Sequence, residues 1–162
     1  MTNGSRKKAF TLMEALIVVF IIGILGIMIV PEMVDAEDWR GEATVRQIVS
    51  DIQYAQNHAI VSQETVTVTF DTGNERYWLS NESGPINDPI TEKAYLVDLK
   101  VEDRFEGADL LLADFDSASS IAFDEIGAPD ATGSLTLKLG DQTYLIEVTN
   151  LTGQVIASQI TP

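Results

Sequence analysis

The chain has 162 residues, 45% of them hydrophobic, with a formal net charge of −15 at pH 7. That length suits one modest domain plus an accessory segment, and so acidic a surface works against general binding of a phosphate backbone. There is no cysteine, which excludes disulfides, cysteine-ligated zinc and thiol nucleophiles.

The apolar residues are concentrated at the start. Phe10 to Val30 reads FTLMEALIVVFIIGILGIMIV, with Glu14 as its single charge. As a helix this run spans about 30 Å, the thickness of a bilayer's hydrocarbon core. Arg6, Lys7 and Lys8 precede it, and the positive-inside rule places Met1 in the cytoplasm and the C-terminal bulk outside. The run is too long for the apolar core of an ordinary secretory signal peptide, although Val34-Asp35-Ala36 offers small residues for cleavage after Ala36. An uncleaved anchor is the other plain alternative. Glu14 argues against both, because a carboxylate within hydrocarbon costs a few kcal/mol and normally has a partner. A head group snorkelling to water is the simplest escape. The sharper expectation is a charge whose partner arrives on assembly.

Lys7-Lys8-Ala9-Phe10-Thr11-Leu12-Met13-Glu14, followed by the apolar run, resembles the type IV prepilin cleavage and methylation motif. The resemblance implies a leader over residues 1–9, cut by a prepilin peptidase between Ala9 and Phe10. It further implies N-methylation of Phe10 and a helix whose Glu14 pairs with the N-terminal amine of a neighbouring subunit. Pro31 falls where many members have a helix-kinking proline. Ala9 departs from the usual glycine before the cut, and slower processing is expected there. Gly23 and Gly26 permit close helix approach, but glycine is common in membrane helices in any case.

Residues 31–64 are expected to continue the helix in amphipathic form. After an acidic stretch, Val45, Ile48, Val49, Ile52, Ala55, Ala59 and Ile60 recur at helical spacing, giving one apolar stripe for a packed head. Arg46, Asp51, Gln53, Asn57 and Gln63 fall largely off that stripe, and Pro31 and Gly41 are candidate bends. His58 is the only histidine; with no cysteine beside it, a solvated or interface role is expected rather than metal ligation.

Beyond Gln63 the period becomes two. Thr65–Phe70 and Arg76–Leu79 read as strands around an Asp71-Thr72-Gly73-Asn74 turn, and Asn81–Pro89 as a loop. Tyr95–Val101, Ser120–Phe123, Ser134–Leu139, Thr143–Val148 and Gln154–Ile160 follow as short strands. The expected fold is α+β and pilin-like: one long N-terminal helix, transmembrane over 10–30, packed on a β-rich head of about seven strands over 65–162.

Three head segments carry a second resemblance. A helix ending in Gln53-Tyr54-Ala55-Gln56-Asn57-His58-Ala59 leads into the first strand, Phe123-Asp124-Glu125-Ile126-Gly127 lies mid-head, and Thr152-Gly153-Gln154-Val155 precedes the last strand. This order is similar to the H-type minor pseudopilins of type II secretion (GspH/FimT-like), with Gln56 in place of a common arginine. The resemblance implies a structural subunit of a pseudopilus or pilus, in the bacterial inner membrane before assembly. Its implied partners are other pilin subunits, the prepilin peptidase and the inner-membrane assembly platform.

Nothing in the head forms a catalytic set, a phosphate loop or a cofactor site. The acids Glu102, Asp103, Asp109, Asp114, Asp116, Asp124 and Glu125 match no EF-hand spacing and are expected to be a solvated surface rather than a calcium site. Two rival functions remain: a FimT-like minor pilin for DNA uptake, against which the few basic residues of the head count, and a signal-anchored extracytoplasmic enzyme.

Overall fold

The computed structural model describes residues 11–29, 36–150 and 152–160. The chain divides into two units, residues 1–35 and 36–162. The first contains α1 (Leu12–Ile29). Thr11 starts it: the Glu14 N–H donates to the Thr11 hydroxyl at 3.2 Å, the N-cap bond that satisfies one free donor of the first turn. Every described side chain of α1 is exposed, Leu12 at 85% and Phe20 at 67%. Among the described residues no helix is long and apolar enough to cross a membrane; the apolar run of the sequence continues to Phe10 and Val30, beyond the side chains described. Arg6, Lys7, Lys8, Ala9, Phe10 and Pro31 lie outside the described residues.

The second unit opens with α2 (Ala36–Ser62). Its buried face is Val45, Ile48, Ile52, Ala55 and Ala59, the stripe read from the sequence; Val49 is partly buried and Ile60 lies at its exposed margin. Gly41 sits within α2 where a side chain would meet the Tyr144 ring. The helix stops at Gln63, which adopts the left-handed conformation at φ 56°. The Glu64 N–H then donates back to the Ala59 carbonyl, the Schellman arrangement with glutamine at the position glycine usually takes.

Nine strands follow among the described residues. They are β1 (Val66–Asp71), β2 (Arg76–Asn81), β3 (Gly84–Pro85), β4 (Leu96–Asp98), β5 (Ala108–Phe115), β6 (Ser120–Phe123), β7 (Gly133–Leu139), β8 (Gln142–Val148) and β9 (Val155–Ile160). All pairings are antiparallel. One sheet runs β3-β2-β1-β6, with β4 also on β2; the other runs β5-β7-β8-β9. Strict alternation along β1 buries Val66, Val68 and Phe70 and leaves Thr67 and Thr69 on the outer face, as a half-buried strand requires.

The core lies between α2 and the inner faces of both sheets. From the first sheet come Val68, Phe70, Tyr77, Leu79, Ile121 and Phe123; from the second, Leu110, Phe115, Leu135, Leu137 and Ile146. Phe70 of β1 stacks on Phe115 of β5 with centroids 5.8 Å apart, so one aromatic pair joins the two sheets.

Two strands went unread in the sequence. Four of the eight β5 side chains are exposed, and it carries a register shift between Leu110 and Leu112. The bulge breaks the period of two, so its acids dominated the pattern. β3 is two residues long and has no periodicity to read. Tyr95–Val101 is strand only over Leu96–Asp98.

Candidate functional site

Two sites stand out in the head, both built on α2. The first lies at its C-terminal end. The Gln56 side-chain amide donates to the Gly127 carbonyl at 2.7 Å and to the Thr152 carbonyl at 3.0 Å. Two turns on, the Gln63 amide donates to the Glu125 carbonyl at 3.0 Å. The three separated head segments noted in the sequence therefore meet at one point. Gln56 is the fastener, joining the turn after β6 to the turn before β9.

Two glycines make room for it. Gly127 has φ +80°, and a Cβ there would stand 2.7 Å from the Ile60 methyl; Gly153 has φ +63°, and a Cβ there would strike the Gln56 amide. Both positions combine a left-handed backbone with close approach, which only glycine meets without strain.

The second site is a buried carboxylate. Asp51 is 2% exposed, which corrects its placement off the packed stripe. It accepts hydrogen bonds from the Tyr77 hydroxyl at 2.5 Å, the Tyr95 hydroxyl at 2.8 Å and the Gln47 amide at 2.7 Å. Tyr77 belongs to β2 and Tyr95 to the segment just before β4, so one acid ties α2 to two pieces of the first sheet. Tyr95 also stacks on Tyr54, centroids 5.4 Å apart. Burial raises the Asp51 carboxyl above the usual carboxylate value, against the lowering effect of its three donors, Tyr77 foremost. Burial likewise raises both phenols, and the Asp51 charge adds to it. No sequence signal marks Asp51 as buried. Its position, three residues after Ile48 and one before Ile52, is at best a weak hint.

The exposed acids act locally. Asp124 Oδ1 accepts from the Ile126 and Ala128 N–H groups, Asp114 from Ser117, and Asp130 from Ala122. Glu102 holds Arg104 at 2.6 Å. They stabilise turns, and among the described residues no group of three or more could hold a metal ion. His58 is half-buried, edge-on to Tyr54 at 5.8 Å. Glu14 is exposed in the first turn of α1.

The profile described as "Type II transport protein GspH" matches residues 44–152, a span that contains the first two fastened segments and ends at Thr152 of the third. The chain belongs to the GspH family. Residues 4–30 of this GspH-type pseudopilin match the prokaryotic N-terminal methylation motif. Two structures of the minor pseudopilin EpsH from the Type 2 Secretion System of Vibrio cholerae share the fold. One aligns with TM-score 0.54 and 14% identity over 72% of this chain and 94% of EpsH; the other gives 0.53 and 15% over 73% and 92%. Among curated proteins, none matches the sequence. The pilin-like α+β architecture of a GspH member is thus present at an identity where side-chain roles do not transfer. The Gln56 fastener and the Asp51 brace rest on this chain's own geometry.

Proposed function

We propose that this chain is the precursor of a minor pseudopilin that a prepilin peptidase cuts between Ala9 and Phe10, and that the mature subunit assembles into a type II secretion pseudopilus. The observation that supports it most is α1. It is apolar on all sides, none of its described side chains is covered, and it carries one carboxylate directly within a methylation motif. A helix hydrophobic all round needs cover on every face. The bilayer supplies that cover before assembly and the helices of neighbouring subunits supply it afterwards.

Glu14 needs a cation in either setting, because a carboxylate buried without a partner costs several kcal/mol. Cleavage creates an α-amine at Phe10, and the same amine on a neighbouring subunit pairs with Glu14 and sets the axial register. Arg6, Lys7 and Lys8 hold the leader on the cytoplasmic side, and Pro31 bends the chain where it leaves the apolar layer. The head works as a rigid structural module, with no chemistry of its own.

Mass spectrometry of the N-terminus from native membranes tests this. A chain beginning at methylated Phe10 is expected. An N-terminus at Glu37 or Met1 would remove the basis for assembly through Glu14. Glu14→Gln is expected to be cut normally yet fail to enter filaments, and Ala9→Gly to be processed faster.

A further inference from the structure

The outer face of the first sheet holds an apolar groove that the core does not use. Trp78 on β2 is half-buried and faces outward, with Leu96 of β4 beside it in register. Pro85 of β3 pairs with Ser80 further along the same edge of β2. Together with Ala94 and Tyr95 they line about 290 Å³, and the Arg76 guanidinium lies over one face of the Trp78 ring, 6.0 Å from its centroid. Leu96 is 49% exposed, large for an aliphatic side chain next to a tryptophan. The floor is firm, because the Tyr95 hydroxyl is held by Asp51 and its ring by Tyr54.

The groove offers an occupant carbon and aromatic faces but almost no acceptor for a backbone N–H. A chain bringing its own N–H groups would bury some of them unpaired, at about 1–3 kcal/mol each. Proline has no N–H, and a polyproline helix is already extended, so such a segment suits an aromatic-lined channel. The surrounding charge points the same way. Arg76 is taken by Asp71 at 3.1 Å, and Asp98 lies opposite it in register. A second cavity, sharing Tyr95 and Leu96 as walls, carries Asp88 and Glu102 against Arg104, itself bound to Glu102. The whole chain stands at −15, so a second copy would be repelled and a basic segment drawn in.

We propose that Trp78, Pro85, Ala94, Tyr95 and Leu96 form a docking groove for an extended, proline-bearing, basic segment of another protein. The segment lays its prolines on Trp78 and Tyr95 and sets its cations toward Asp88 and Asp98. Its residues all belong to the second unit, and its test does not depend on the assembly proposed above.

The test uses the full chain in phosphatidylcholine nanodiscs and a fluorescein-labelled peptide of repeated Pro-Pro-Arg triplets, read by fluorescence polarisation. Peptides of Ala-Ala-Arg and Pro-Pro-Glu triplets serve as comparisons. The Pro-Pro-Arg peptide is expected to bind about tenfold more tightly than either, and Leu96→Lys or Ala94→Lys to weaken it by about tenfold. Both replaced side chains are exposed, and Ile126→Lys, 80% exposed and outside the groove, is expected to bind like the parent. Equal binding of the Ala-Ala-Arg peptide would mean surface attraction alone and overturn the groove. So would full binding by both lysine variants, or no binding at all. A dimer of the chain that Leu96→Lys dissolves would give the surface to a second copy and equally overturn the proposal.

Discussion

The two helices of this protein arrange their apolar residues in opposite ways. α1 has apolar side chains on all faces and none of the described ones is covered. α2 has a single stripe, and that stripe is almost fully enclosed, with Ile48, Ala55 and Ala59 at 0% exposure. α2 even encloses a carboxylate, Asp51, because three donors from its own unit surround it. Glu14 is exposed in the first turn of α1. A polar group within an apolar environment needs a partner; α2 finds its partners inside the fold, and in the function proposed above α1 takes them from other molecules.

The same truncation in each helix separates them most sharply. Ile52→Ala opens a cavity under α2 and is expected to cost about 2–5 kcal/mol of head stability. Val19→Ala in α1 is expected to change that stability by less than about 0.5 kcal/mol. Urea unfolding of the full chain in nanodiscs, followed by tyrosine fluorescence, reads both. Comparable losses would mean that α1 is packed within its own chain.

The Asp51 brace comes next. Tyr77→Phe removes one donor to a buried charged acceptor and is expected to cost about 2 kcal/mol. Gln56→Ala is expected to cost about 1–2 kcal/mol, since two neutral hydrogen bonds to turn carbonyls are lost. Gln56→Arg keeps a donor pointing at both carbonyls, and it should recover most of that loss. If Gln56→Arg is no better than Gln56→Ala, hydrogen bonding does not fasten the three segments.

The smallest effect is a pH dependence. A carboxyl raised in the folded state binds its proton more tightly there than in the unfolded chain. The stability Asp51 confers is therefore fullest below the unfolded value of 3.8 and declines as pH rises through the higher folded value. Measured against Asp51→Asn, the parent should be relatively more stable at pH 4 than at pH 7. A relative gain on going to pH 7 would show that the three donors outweigh burial.

Much of this molecule was legible along the chain because its patterns are local. The α2 stripe and the alternation of β1 follow from the periods of helix and strand. The three head segments were legible as motifs, but not as neighbours. Gln56 lies 71 and 96 positions from the carbonyls it binds, and no local pattern encodes that meeting. β5 was hidden because its bulge breaks alternation.

The sequence by itself determined the class of the protein. An apolar run behind a basic leader with one carboxylate, then a helix with one stripe, then alternating strands, are all consequences of neighbouring residues and their spacing. Only the tertiary structure decided that Asp51 is a buried brace, that Gly127 and Gly153 are seats for Gln56 and Ile60, and that Trp78, Pro85 and Leu96 share a groove. Burial of a polar side chain and closure of a surface depend on partners distant in sequence, and those partners are brought together only when both sheets have packed on α2.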